Sequence, residues 1–319
     1  MEAPAYSDIR QAKSRINHRI LETPVMQSSM LNELSGCHLY FKCENFQKAG
    51  AFKYRGATNA ILKLNPEALR QGVCTHSSGN HAQALALAAA QAGTKAYVVM
   101  PESAPRNKVE AVRNYGADVF FCYSTLEARE EKLKEVQNAT GAHFIHPYNH
   151  PDIIAGQGTA ALELLKIQPG LDVVMAPVGG GGLMSGTAIA TKHINPGITL
   201  IGAEPAGASD AQQSLYSKKL IPSVQPKTIA DGLLTSLSDL TFSILSTHLD
   251  DILTCTEENI VLAMKLIMER MKIVVEPSAA VPFAIILEHK AMFRNKRVGM
   301  IVSGGNLDVS NFFPDNTDK

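Results

Sequence analysis

Residues 73–100 read VCTHSSGNHAQALALAAAQAGTKAYVVM, and two β-rich runs framing one alanine-rich run decide the fold. VCTHS (73–77) predicts a strand, NHAQALALAAAQAG (80–93) a helix that can end at Gly93, and KAYVVM (95–100) a second strand. The alternation continues outward: PRNKVEAVRNYG (105–116) reads as a helix, DVFFC (118–122) as a strand, and about 125–139 as a charged helix. Farther along, DVVMAPV (172–178), ITLIGAE (198–204) and RVGMIVS (297–303) are apolar throughout instead of alternating. Strands apolar on both faces, with helices between them, imply a mostly parallel sheet covered on both sides. The fold class is α/β. Toward the N-terminus, MEAPAYSDIRQAKSRINHRI leads into an amphipathic helix and lacks the apolar core of a secretory signal. There is no repeat, low-complexity stretch or linker, and the polar FPDNTDK tail is expected to fray.

A chain of 319 residues exceeds the usual size of one hydrophobic core, which favours two lobes. Thirty basic and thirty acidic residues cancel, so bulk charge offers no grip on nucleic acid or a membrane surface. No apolar run reaches the length of a bilayer span. Five cysteines without a CxxC pair argue against a disulfide framework or structural metal and fit a reduced, cytoplasmic setting.

Three glycine-containing turns follow predicted strands: SSGNH (77–81), VGGGG (178–182) and SGGN (303–306). In open parallel sheets, ligands bind outside the carboxyl ends of strands. A tight strand-to-helix turn needs one glycine. Four in a row before LMSGTAIATKHI favour a phosphate wrapped by bare backbone N–H groups at a helix N-terminus. The pattern is neither GxGxxG nor GxxxxGK[ST]. In ENFQKAGAFKYRG (44–56), Lys48, Lys53 and Arg55 alone would read as a solvated basic face. Lys53, however, sits behind Phe52 among glycine and alanine. A buried lysine loses several units from its ordinary ~10.4 and becomes a usable amine.

Glu44-x-Phe46-x-x-x-Gly50-Ala51-Phe52-Lys53-x-Arg55, followed in order by SSGNH, GGGG and SGGN, resembles the serine/threonine dehydratase family of fold-type II pyridoxal-phosphate enzymes. The resemblance runs from about residue 5 to 310. Within the family it is most similar to eukaryotic-type serine racemases and their hydroxyaspartate ammonia-lyase relatives. It implies a tryptophan-synthase-β-like architecture of two lobes, each with a mostly parallel sheet flanked by helices. Residues 72–149 would be a small substrate-closing domain, and 1–71 with 150–319 a large cofactor-binding domain.

The resemblance also implies roles. Lys53 would be the Schiff-base lysine with Phe52 packed beside the pyridine ring. Asn80 would bond the ring hydroxyl. Gly179, Gly180, Gly181 and Gly182 would cradle the phosphate of pyridoxal 5'-phosphate, and Ser303 would face the ring nitrogen. Ser303 taken alone would read as a helix cap. Ser77, Ser78, Asn80, His81 and Gln83 stand where the family binds the substrate carboxylate. Ser78 is the hydroxyl that serine racemases place on the cofactor face opposite the lysine, where mammalian-type dehydratases carry the alanine of SAGN. A hydroxyl at 303 does not hold the ring nitrogen protonated as a carboxylate would. Loss of a β-leaving group then competes with reprotonation, so one site can racemise serine and dehydrate it to pyruvate and ammonia.

In GAEPAGASD, Glu204, Ala208 and Asp210 present oxygens at a spacing that suits a hard divalent cation. Acidic residues at a strand end and a helix N-terminus explain the composition equally well. The resemblance to Mg²⁺- or Ca²⁺-activated serine racemases favours the cation. Ser28, Ser29, Met30, Lys48, Gln83, Lys272 and Asn306 resemble positions that hold ATP at the interface of a homodimer, although Ala49 replaces a threonine of the vertebrate pattern. Arg129, in EAREE, reads as solvated, yet the family turns an arginine here toward the substrate carboxylate. Tyr148, Asn149 and His150 in HPYNHP (146–151) can accept a β-carboxylated substrate such as 3-hydroxyaspartate, or serve as ordinary loop residues.

The reading is a serine racemase with serine dehydratase activity acting on a small amino acid. Its rivals are a threo-3-hydroxyaspartate ammonia-lyase or aspartate racemase, and, from another class, a catalytically dead regulatory protein. Biosynthetic threonine dehydratase is disfavoured by the absence of a regulatory domain after SGGN. Cysteine synthase is disfavoured by the absence of its TSGNTG-like loop.

Overall fold

The computed structural model describes residues 1–308, so the FPDNTDK tail lies outside the described residues. Among the described residues, ten strands form two sheets. They are β1 (Val25–Met26), β2 (His38–Cys43), β3 (Val73–His76), β4 (Ala96–Pro101), β5 (Asp118–Cys122), β6 (His143–Phe144), β7 (Val173–Pro177), β8 (Thr199–Pro205), β9 (Asp251–Cys255) and β10 (Arg297–Val302). The larger sheet has the order β1-β2-β10-β7-β8-β9 and the smaller one β5-β4-β3-β6. Every pairing is parallel except the short antiparallel β1–β2 contact. The α/β class and the parallel sheets under helices are as the apolar runs imply. In β7 all five residues are buried, and in β10 all but the first.

The runs read from the sequence fall on β3, β4, β5, β7, β8 and β10 and the helices between them. Helix Asn80–Ala92 ends as expected on Gly93, in a left-handed conformation. Strands β2 and β9 escaped the reading for different reasons. β9 sits at a sheet edge with a mixed burial pattern. β2 carries Lys42, which looks like a surface residue in HLYFKC but is fully buried.

Lys42 Nζ donates to Glu163 at 2.6 Å and to the Thr23 carbonyl at 2.6 Å. Arg55, also fully buried, pairs with Glu44 at 2.6 Å and with Glu163 at 2.7 Å. A solvated basic face is therefore not what Arg55 provides. Its five donors are matched inside the protein, the condition under which a buried charge is tolerated. The network pins the helix Lys53–Leu62 between β2 and the helix Pro151–Ile167.

Candidate functional site

Three loops meet at the carboxyl ends of strands: residues 77–79 after β3, 178–181 after β7 and 303–306 after β10. The backbone N–H of Phe52 donates to the Ser303 carbonyl at 3.0 Å, and Ala51 bridges Gly304. These contacts seat Lys53, first residue of its helix, beside the end of β10. Lys53 is half-buried, and its Nζ donates to the Pro147 carbonyl at 2.9 Å while lying 5.2 Å from the Phe52 ring centre. Burial lowers its pKa to about 8, and the negative charge of Glu276 partly opposes the fall.

Asn80 opens the helix after the first loop. Its Nδ2 donates to both carboxylate oxygens of Glu276, at 2.9 and 3.0 Å, and its Oδ1 accepts from Asn306 Nδ2 at 2.8 Å. The Glu276 N–H donates to the Gly304 carbonyl. The small-sheet loop is thus bonded through Glu276 to the SGGN loop of the large sheet. Glu276 is 4% exposed, and burial raises its pKa to about 7. Sequence reasoning missed it, because VEPSAA carries no glycine-turn signal and one acidic residue looks like surface.

The tetraglycine loop fits a phosphate. Gly181 has φ +83°, and the helix Gly182–Ile194 has no side-chain cap, which leaves its first N–H groups for an anion. A Cβ on Gly180 would sit 2.3 Å from the Tyr148 ring, so only glycine fits there. With a lysine amine held below its ordinary value nearby, the donor set suits pyridoxal phosphate.

Ser303 is buried, and no helix begins there among the described residues, so helix capping does not account for it. Ser77 Oγ accepts from Gly79 N–H at 3.3 Å, and Ser78 is half-buried in the same turn. His81 is buried, with Nε2 3.3 Å from the Ile145 carbonyl and Nδ1 unpartnered. Desolvation and the neighbouring Lys53 charge hold it neutral. Arg129 is not solvated as its helix suggested. It is half-buried, its Nε is buried without a partner, and its charge helps depress the pKa of His76.

The HPYN segment divides its labour. His150 Nδ1 caps the helix Pro151–Ile167 by accepting from Asp152 N–H at 3.1 Å. Tyr148 lies on Gly180 and Gly182, and Asn149 Oδ1 is buried and unpartnered.

Glu204, at the end of β8, accepts from the N–H groups of Ala211 (3.0 Å) and Gln212 (2.8 Å). It therefore does stabilise a helix N-terminus. Yet Asp210 is 5% exposed, with Oδ2 buried and unpartnered, and burial together with Asp210 raises Glu204 to about 8. Two desolvated carboxyls of this kind fit a cation better than they fit each other.

The positions compared with a nucleotide site lie on several elements. Ser28 caps the helix Ser29–Ser35, which carries the exposed Met30. Lys272 Nζ donates to the Glu269 carbonyl at 2.6 Å. Asn306 joins Asn80 to the carbonyl of Ala49, next to Lys48, and Gln83 is buried one turn beyond Asn80.

The family model described as pyridoxal-phosphate dependent enzyme matches residues 16–304. Serine racemase of Dictyostelium discoideum is 49% identical over 315 residues, covering 97% of each chain. The beta-hydroxyaspartate dehydratase of Paracoccus denitrificans is 48% identical over 309 residues, covering 97% of this chain and 98% of the other. The maize serine racemase structure superposes with a TM-score of 0.96 at 45% identity, covering 98% of this chain and 96% of that one. The chain belongs to the pyridoxal-phosphate-dependent enzyme family, in the branch that holds serine racemases and hydroxyaspartate ammonia-lyases.

Proposed function

We propose that this protein interconverts L- and D-serine and also dehydrates serine to pyruvate and ammonia. The observation that carries the reading is Lys53, seated at the end of β10, with its charge acting on His81, on the helix that follows the loop bearing Ser78. Bound pyridoxal phosphate supplies an electron sink for the pair left behind when the α-proton is removed. Gly179, Gly180, Gly181 and Gly182 would hold its phosphate, Asn80 its ring hydroxyl and Ser303 its ring nitrogen, with Phe52 against the ring. Lys53 would be the residue that anchors it and would serve as the base on one face. Ser78 delivers or takes the proton on the other. Ser77 and His81 orient the substrate carboxylate, His81 as a neutral donor or acceptor.

A Mg²⁺ or Ca²⁺ ion at Glu204, the Ala208 carbonyl and Asp210 is part of the proposal, supported by the orphaned Asp210 oxygen. So is a homodimer, supported by exposed Met30, Leu34, Phe46, Val261, Leu262 and Val274. ATP would then bind between subunits at Ser28, Ser29, Met30, Lys48, Gln83, Lys272 and Asn306, and residues 72–149 would close over substrate as a small domain. Five free, buried cysteines support a reducing cytoplasmic setting. A second reading, ammonia-lyase action on threo-3-hydroxyaspartate, is favoured by the unpartnered Nε of Arg129, which suits a second carboxylate.

The test is an assay of serine, threonine, aspartate and 3-hydroxyaspartate, with chirality, pyruvate and oxaloacetate all read out. D-serine and pyruvate from L-serine support the first reading. Oxaloacetate from 3-hydroxyaspartate, with serine inert, replaces it by the second.

A further inference from the structure

The segment between Lys53 and the tetraglycine loop is a turn built around one imidazole. His146 Nδ1 accepts from the N–H of Tyr148 at 3.2 Å and from that of Asn149 at 2.9 Å. Two donors on one ring nitrogen require a lone pair there, so the ring is neutral with its proton on Nε2. The turn presents two groups to the site: the Pro147 carbonyl, which accepts from Lys53 Nζ at 2.9 Å, and Tyr148, whose ring covers Gly180 and whose Cβ and backbone lie on Gly182. The His146 ring meets Tyr148 edge-on at 4.6 Å and is flanked by His76 and Phe144, so it has little room to swing away.

We infer that His146 is a positioning residue: by shaping this turn it aims the Pro147 carbonyl at Lys53 and so provides the dock for the lysine ammonium. The inference rests on the reading of Lys53 as the cofactor lysine. A protonated lysine held at a backbone carbonyl is stabilised by a charge-assisted hydrogen bond. The proton taken from substrate therefore stays on Lys53, close to the carbon from which it came.

The groups that face the ring agree with a neutral acceptor. Burial, then the charges of His76, Lys53 and His150, lower His146 to about 3, so it keeps its lone pair throughout the working range. Around Lys53 the facing titratable groups are Glu276, His81 and His146. Of these, Glu276 raises the lysine, and the hydrogen bond to the Pro147 carbonyl is a separate contact.

The experiment strips the full-length protein of cofactor and follows covalent uptake of pyridoxal 5'-phosphate against pH, because only the unprotonated amine attacks. Wild type should show a midpoint near 8. His146→Leu cannot hold the turn, so the ammonium loses its acceptor and the midpoint should fall by about one unit, a tenfold change in basicity. In His146→Asn, Oδ1 can accept the same two N–H groups, and the midpoint should return to the wild-type value. A purely structural role would change the rate and leave the midpoint in place. An unchanged midpoint in His146→Leu overturns the inference. Should that variant not fold, the ¹⁵N signals of His146, assigned by their loss in His146→Asn, decide. An unprotonated Nδ1 from pH 5 to 9 supports the inference, and a protonated Nδ1 overturns it. Borohydride-reducible uptake by Lys53→Ala would overturn the reading of Lys53 itself and is distinguishable from both outcomes.

Discussion

At the scale of single residues, Lys53 and Glu276 are electrostatically linked. Lys53→Ala should purify without the visible band of bound cofactor and lose nearly all activity, as absorbance and a pyruvate assay would show. Glu276, raised to about 7, is mostly charged where Lys53 titrates, and its charge stabilises the Lys53 ammonium. Removing that charge lowers the lysine pKa. Glu276→Gln should therefore extend cofactor uptake to lower pH, by about half a unit or more, each unit corresponding to ~1.4 kcal/mol. A midpoint that stays or rises would break the link between the two residues. Lys53 was legible because its neighbours Gly50, Ala51 and Phe52 signal a crowded, apolar setting. Glu276 was not, because its role depends on Asn80 and Gly304, which are distant in the chain and visible only after folding.

Among the elements, the loop-to-helix junctions hold most of the site, and here the sequence was informative. Glycine-containing turns after predicted strands located all three loops, since close backbone approach leaves a compositional trace. The HPYN turn and the β8 end were less legible, because a histidine cap and a desolvated acid look like ordinary loop and surface residues. Gly181→Ala should be costly. Its φ of +83° is strained for an L side chain, and the new Cβ would lie 2.7 Å from Leu237. Loss of stability on the order of 1–3 kcal/mol is expected, together with weaker cofactor retention measured by dialysis.

At the end of β8, Glu204 is raised to about 8 without a cation. The folded protein then binds more protons than the unfolded one between the ordinary carboxylate value and about 8, so stability falls as pH rises through that window. The slope is up to ~1.4 kcal/mol per pH unit for one group. Thermal melts across pH 5 to 8 should show that decline in chelator, a smaller decline with Mg²⁺ or Ca²⁺, and none of the cation effect in Glu204→Gln. Indifference of wild type to chelator and cation would leave Glu204 a helix-capping acid only.

For the whole molecule, the proposed reaction would draw its two faces from the two sheets. Lys53 is seated at β10 of the larger sheet, and Ser78 follows β3 of the smaller. The alternation of apolar runs with helices conveyed the α/β class, and the order of the motifs conveyed the family. How the two sheets join, through Asn80, Glu276 and Asn306, required the folded structure. The account stands or falls on proton transfer at two faces. Incubation of L-serine with wild type and Ser78→Ala, with D-serine and pyruvate quantified separately, tests it most directly. Ser78→Ala should lose D-serine formation by ~10²–10⁴-fold, the usual worth of a general acid–base group, while pyruvate formation from L-serine remains measurable. Near-wild-type racemisation by Ser78→Ala would contradict it.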